Sequence, residues 1–517
     1  MKKSFSPANR YILKKILGLL LTVLLLCPLV GCSTKDTTIW IVTEETTWDR
    51  MNGQTWVLQA AFEEAHPGVK IRLDILPPDE HERTAYLQQL RTQIMQGRGP
   101  DAYLLPTDDH LIIGDGKDTA PPAVEPLFAD VALAMENGMF MDMSQWYDAD
   151  TELGKDGLIT AVMDAGVVDG SRYILPLRYD IPVIYAQTQD LEEVDFDLSA
   201  LEKPLTELMQ AAMATGNPLV AAGGIYQGSS MFENWIDYTS GQVRLTEGAL
   251  TSYMETYRQL LTATEDIGAA TRIDLNDYIY GAYDEFPGAA SICSAYDVDP
   301  SYFIRYPLYI GSLAQLMDYA PVAQYEESEY TILPLRSDDG GTVATVEYYA
   351  ALGSGCRNPE LTYQFLRQFL LKDSQWEYNR PKKMNILIGS PPTKSTQDKS
   401  NKTQYPGLIE NGWPVRAEGA LAPLWDMRRM QFYSALDNSE YKTRLRRIGL
   451  TPLEEQWADI LNTPIDQVRF PSVVDNMLQT ALDSLNDPAR AYQPTNVSVH
   501  TAAENLIWDM RRHLAEG

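Results

Sequence analysis

Acidic, aromatic and hydroxyl side chains gather where strand-like runs end. Glu45 and Trp48 follow the apolar run Thr38-Ile39-Trp40-Ile41-Val42, and Thr107, Asp108 and Asp109 follow Ala102 to Leu105. Arg178 and Asp180 lie in the extended stretch Tyr173 to Tyr185, and Tyr226, Trp235, Tyr296 and Tyr348 supply rings further along. Such groups suit a neutral, hydroxyl-rich molecule. Rings cover its apolar C–H faces, and carboxylates, amides or Arg take its hydroxyls. Catalysis has less to work with. The 5 His are His66, His81, His110, His500 and His513, and neither His-Glu-x-x-His nor Gly-x-Ser-x-Gly occurs. Asp108, Asp109 and His110 are consecutive, so they converge poorly on one ion. Asp148, Asp150 and Glu152 hint at a calcium loop that lacks its Gly and its closing Glu. Carboxylate pairs for glycoside hydrolysis are findable anywhere among 71 acids, so their presence decides nothing.

Positioning these side chains requires regular elements. Thr38 to Val42 reads as a buried parallel strand. Val57, Leu58, Ala61, Phe62 and Ala65 share one helical face, which His66-Pro67-Gly68 ends. Val69, Ile71, Leu73 and Ile75 then alternate at strand period. Leu87, Leu90 and Ile94 mark a helix closed by Gly97, and Ala102 to Leu105 the next strand. This β-α-β-α-β order implies a parallel sheet covered by helices. Asn358-Pro359-Glu360 reads as a helix start with Leu361, Phe365, Leu366, Phe369 and Leu370 on one face. Thr501 to Glu504 reads as a capping box opening a last helix. Residues 391–407 read as a surface loop.

The chain has 517 residues, 44% hydrophobic, which predicts more than one lobe, each with its own core. Its formal charge is -29. Such a surface repels phosphate backbones, so no nucleic-acid partner is expected, and electrostatic adhesion to anionic membranes is disfavoured. Of the 4 Cys, Cys27 and Cys32 sit near the N-terminus. Cys293 and Cys356 either bridge or stand as buried thiols.

The N-terminus carries Lys2, Lys3, Arg10, Lys14 and Lys15 with no acid before Cys32. Ile16 to Val30 is an apolar run shorter than the ~20 residues of a spanning helix. It ends in Leu29-Val30-Gly31-Cys32. That string resembles the bacterial lipobox, which implies residues 1–31 as a signal peptide, diacylglycerol and palmitate on Cys32, and 32–37 as a tether. Two acyl chains suffice for stable anchoring.

Several ordered motifs resemble the family 1 extracellular solute-binding proteins, the maltose-binding-protein-like group. Ala65-His66-Pro67-Gly68-Val69 followed by Gly97-Arg98-Gly99-Pro100-Asp101 is similar to that family's first unit. Asn137-Gly138-Met139-Phe140 through Trp146 matches its next segment. Asp169-Gly170-Ser171-Arg172-Tyr173-Ile174-Leu175-Pro176 to Ile184-Tyr185 matches its "Asp-Gly-Lys-x-Tyr-Gly-x-Pro … Tyr-Tyr-Asn". Gly288-Ala289-Ala290, Tyr330 to Pro334, and Asn358 to Gln375 follow in order. Ala186 and Ser291 depart from the pattern, and 391–500 matches poorly.

The resemblance implies an α/β, two-lobed periplasmic-binding-protein-like fold (type II) with hinge crossovers between lobes. It places crossings near Arg178 to Asp180, Asp284 to Gly288, and Thr345 to Tyr348. Lobe one is expected to hold 38–178 and 287–345, lobe two 179–286 and 346–485, with 486–517 as a C-terminal helix packed on the lobes. Asp108 falls at the family's acidic sugar contact, Tyr296 where a stacking Trp often stands, and Arg178 and Asp180 near a hinge acid. The implied protein is a monomeric, lipid-anchored, non-enzymatic component that captures a mono- or oligosaccharide on the extracytoplasmic face of the cell membrane. It would pass that solute to an ABC transporter permease, with no cofactor or metal. Alternatives are a lipoprotein read by a sensor kinase, a binder of a peptide, polyol or polyamine, or a secreted glycan hydrolase.

Overall fold

The computed structural model describes residues 37–44, 55, 58–77, 79–107, 125–226, 228–232, 235–238, 240–264, 307–313, 330–371, 413–416, 456, 459–486 and 494–516. Most strands divide between two sheets, while Val167–Val168 with Ser171–Arg172 and Ile236–Asp237 with Gln242–Val243 form separate two-stranded hairpins. β1 (Thr37–Thr43), β2 (Val69–Ile75), β3 (Ala102–Pro106) and β4 (Ile174–Asp180) belong to the first. β5 (Pro182–Gln187), β6 (Leu308–Ser312) and β7 (Tyr330–Pro334) form the second. The chain then returns to the first with β8 (Val343–Leu352), β9 (Trp413–Pro414) and β10 (Gln467–Arg469). The order in the first sheet is β9-β4-β8-β3-β1-β2, with β10 also on β8. In the second it is β6-β5-β7, all antiparallel.

The expected parallel unit is present. β1 runs parallel to β2 and to β3. Helix α1 (Glu80–Met95) covers it, burying Leu87, Leu90 and Ile94. Asp79 caps α1 by accepting from the His81 and Glu82 amides, both at 3.0 Å. Gly97, at φ +65°, closes it in the left-handed conformation that glycine adopts without steric cost. β8 makes the sheet mixed, running antiparallel to β3 and β4. All of its residues are buried, as its β-branched and aromatic content favours in a central strand. Gly353 follows β8, and a Cβ there would meet the Pro100 carbonyl at 2.2 Å, so only glycine permits this approach. Asp169 and Gly170, at φ 49° and 80°, form the two-residue turn between Val167–Val168 and Ser171–Arg172, a preference shared by Asp-Gly hairpins.

The buried apolar side chains form two cores, and β5 faces both, with Val183 and Tyr185 in the first and Ile184 and Ala186 in the second. The first gathers Ile41, Tyr103, Phe140, Tyr349 and Phe365. The second joins β5, β6 and β7 to helices α2 (Leu205–Ala214), α3 (Glu247–Ala263), α5 (Val473–Asp483) and α6 (Val499–Glu516) through Leu208, Leu250, Tyr257, Leu478, Leu506 and Met510, while α4 (Pro359–Leu366) packs on the first. This is a mixed α/β fold with two cores joined by short crossings. β4 ends at Asp180 and β5 begins at Pro182. The chain passes back between Leu335 and Val343, and again between Phe470 and Val474.

Some details differ from the sequence reading. Leu308–Ser312 and Tyr330–Pro334 pair with Pro182–Gln187, whereas Val343–Leu352 lies in the first sheet. Alternation within a buried strand does not say which sheet the strand joins. The last helix begins at Val499, so Thr501 lies inside it, and the Ser498 hydroxyl instead accepts from the Thr501 amide at 3.4 Å. Asn358 precedes the short helix Pro359–Leu366, but its side chain makes no capping bond. Cys356 is a free buried thiol at 3.5 Å from Thr362 Oγ1, and burial raises its pKa. Cys293 lies outside the described residues.

Candidate functional site

The carboxyl ends of β1 and β3 meet the start of β8 and the end of β4. The register fixes this edge. Tyr348 of β8 lies opposite both Pro106 and Arg178, and Thr345 lies opposite Asp180. Thr43, Glu44, Thr107, Thr345 and Glu347 are all buried here. Polar groups at a buried edge need partners, and several are visible. The Thr107 amide donates to the Glu347 carbonyl at 2.9 Å, and its hydroxyl to the Val346 carbonyl at 2.7 Å. The Thr345 hydroxyl donates to Glu347 Oε1 at 2.7 Å. Glu44 takes Arg83 Nη1 at 3.0 Å and Nη2 at 2.5 Å, and both side chains are almost wholly shielded from water.

Four expected site residues come together at this edge. Thr107 spends its hydroxyl on the neighbouring strand, so it positions the edge. Tyr348 is buried in the first core. Arg178 and Asp180 are half-buried beside the crossing into β5. Two others sit apart, in the second core. Trp235 is buried there, with its Nε1 donating to the Phe232 carbonyl at 3.1 Å. Tyr226 is half-buried, and its carbonyl accepts from the Tyr253 hydroxyl. Glu45, Trp48, Asp108, Asp109, Tyr296 and the lipidation candidate Cys32 lie outside the described residues.

The sequence reading missed the Glu44–Arg83 pair, Thr43 and Thr345. A signal for Arg83 existed. It sits one helical step before Leu87, Leu90 and Ile94, on the stripe that faces the core. An Arg at such a position needs a buried anion.

A second polar cluster spans the two cores. A cavity of about 230 Å³ is lined by Met135, Ala165, Trp235, Tyr238, Arg469 and Phe470, among others. The Arg469 guanidinium lies 4.8 Å over the Trp235 ring and bonds Asp475 at 2.6 Å. Asp130 accepts from the Tyr238 hydroxyl at 2.6 Å and contacts His513 Nε2. Burial, and the Asp130 charge after it, hold the Tyr238 phenol well above its ordinary pKa, so it stays a hydrogen-bond donor. Trp235 is thus both a core residue and a wall of the space between the cores. The cavity lies below the usual range for drug-sized pockets, so only a small guest fits.

No protein-family model and no curated protein sequence matches this chain. Solved structures do match its fold. A de novo designed cysteine esterase is 13% identical over 93% of this chain and 99% of its own, with a TM-score of 0.50. A family 1 extracellular solute-binding protein from Alicyclobacillus acidocaldarius is 12% identical over 92% and 98%, with a TM-score of 0.45. The ABC substrate-binding protein Lmo0181 from Listeria monocytogenes, in complex with cycloalternan, is 10% identical over 93% and 99%, with a TM-score of 0.45. The structural neighbours include extracellular solute-binding proteins. At these identities the likeness concerns the path of the chain and leaves side-chain roles to the geometry above.

Proposed function

We propose that this protein is a lipid-anchored solute-binding component that captures a mono- or oligosaccharide by lobe closure and delivers it to an ABC transporter permease. The observation that carries this reading is the buried polar edge at the carboxyl ends of β1 and β3, directly beside the crossing from Asp180 to Pro182. Open α/β sheets take ligands at the carboxyl ends of their strands. A site flanked by short crossings also lets two bodies hinge about it. In this reading the first lobe comprises 37–180, 343–371, 413–416 and 459–470, and the second 182–264, 307–335 and 473–516. Closure is driven by contacts that exist in the closed form alone. Arg178 donates to sugar hydroxyls and Asp180 accepts from them, while Trp48, Asp108 and Tyr296 supply the remaining faces. No helix among the described residues is long and apolar enough to cross a membrane. In this reading the anchor is the lipobox-like Cys32.

A thermal-shift screen over mono- and oligosaccharides tests the reading. A sugar at 100 times its dissociation constant adds ~2.7 kcal/mol. Arg178→Ala, Trp48→Ala and Asp108→Ala each abolish that shift. The site is misplaced if all three variants respond like the parent, and the sugar reading ends if no carbohydrate shifts the parent. Release of reducing sugar from any glycan would reinstate a hydrolase. Palmitate labelling of the parent, absent in Cys32→Ala, tests the anchor separately.

A further inference from the structure

Helices α3 and α6 pack against each other in the second core through Leu250, Met254, Tyr257, Ala503, Leu506 and Met510, all buried. Their first turns lie side by side, and three polar side chains stand outward from them. Glu247 is in the first turn of α3. His500 and Glu504 lie one helical turn apart on α6, on the same face. His500 Nδ1 is 3.2 Å from Glu247 Oε1, and its Nε2 is 3.5 Å from Glu504 Oε1. One ligand atom from each residue can be chosen so that all lie within 4.8 Å of one another.

We propose that Glu247, His500 and Glu504 form a zinc site that staples the start of α6 to α3. The donor chemistry favours this ion. Imidazole with carboxylates suits zinc, whereas magnesium and calcium take oxygen ligands. The spacing also fits. Donors about 2.1 Å from a tetrahedral ion stand roughly 3.4 Å apart, and one ligand atom from each of the three exposed side chains lies within 4.8 Å of the others, so small rotations bring them to that spacing. One imidazole nitrogen binds the ion. The other keeps a carboxylate or water as its partner, which fixes the ring. Water completes the shell, since all three side chains are exposed. The packed apolar face beneath fixes both backbones, so little reorganisation is needed. The site lies on the outer surface of the second core and does not depend on the sugar reading.

The test uses the untagged protein, stripped with a chelator and then dialysed against zinc chloride or magnesium chloride. The parent binds one zinc at this site and no magnesium, and zinc raises its melting temperature. His500→Ala, Glu247→Gln and Glu504→Gln each weaken zinc binding roughly tenfold or more and remove the melting shift. All three positions are solvent-exposed, and circular dichroism confirms that the variants fold. Absence of zinc binding by the parent, or unchanged affinity in His500→Ala, overturns the proposal.

Discussion

At the amino end of β3, Asp101 is only 1% exposed, yet its partner Arg357 keeps 63% of its side chain in water. At the carboxyl end of β1, Glu44 and Arg83 are both buried. The two carboxylates also face different tasks. Asp101 ties backbone together. It takes the Trp40 amide at 2.9 Å and the Arg357 amide at 3.0 Å, beside the Arg357 guanidinium at 2.6 Å. Glu44 takes side-chain donors from Arg83. Its neighbours Thr43, Thr345 and Glu347 are further buried polar side chains at the same edge. This edge is also where open α/β sheets take ligands.

The largest expected effect tests that contrast directly. Arg83→Ala leaves the Glu44 carboxylate buried without its cation and costs about 3–5 kcal/mol. Arg357→Ala costs only about 1 kcal/mol, because Asp101 keeps its two amide donors and the lost guanidinium was mostly solvated. Urea unfolding of both variants measures the difference. Equal losses would show that the two ends are built alike. The double variant Glu44→Gln, Arg83→Met recovers most of the stability if the damage comes from the orphaned charge.

A smaller effect separates clamps from crossings by pH. Asp150 belongs to a clamp. Burial raises its pKa, but bonds from Arg367 at 2.7 Å and Tyr363 at 3.0 Å outweigh that and hold the carboxyl below its ordinary range. A lowered folded-state pKa means the stabilisation is present above the unfolded value near 3.9 and is lost as pH falls through the folded value. Asp150→Asn therefore costs about 1.5–3 kcal/mol at neutral pH, and the gap to the parent closes on acidification below about pH 4.

Asp338 lies in the crossing between β7 and β8 and has the opposite sign. Burial raises its pKa, although Thr206 donates from its amide at 2.8 Å and from its hydroxyl at 2.6 Å. Its contribution is full below the unfolded value and fades as pH rises through the folded one. Asp338→Asn keeps an acceptor for Thr206 without the buried charge. It is expected to change neutral stability by no more than about 1 kcal/mol and to flatten the fall above pH ~4. Denaturation midpoints from pH 3 to 7 distinguish the pair, and parallel profiles for the two variants would remove the distinction.

Much of the first unit is legible in the sequence. The period of Val69, Ile71 and Leu73, the stripe of Leu87, Leu90 and Ile94, and the stop at Gly97 each follow from local geometry, and each stands where it was read. The strand ends followed too, which is why Thr107, Arg178 and Asp180 fall at one edge. Pairing did not. Leu308–Ser312 and Val343–Leu352 are both apolar runs, and nothing within a run says which sheet receives it. Trp235 shows the same limit for sites. A ring that walls a cavity and fills a core has one spelling for both roles. Arg83 was hidden because its partner is 39 residues away in sequence.

The smallest effect is the sharpest test of what the carboxyl edge is for. Among the described residues, Thr43 Oγ1 is buried with no hydrogen-bond partner. Val has nearly the same shape and no polar atom to desolvate. Thr43→Val should therefore leave stability unchanged or raise it by up to about 1 kcal/mol. A hydroxyl retained against that gain needs another reason, and a ligand at the strand ends supplies one. The variant should then show a weaker sugar-induced melting shift than the parent at equal ligand concentration. A loss of stability instead, with ligand response intact, would make the hydroxyl part of the scaffold and the two ends of the sheet equivalent in kind.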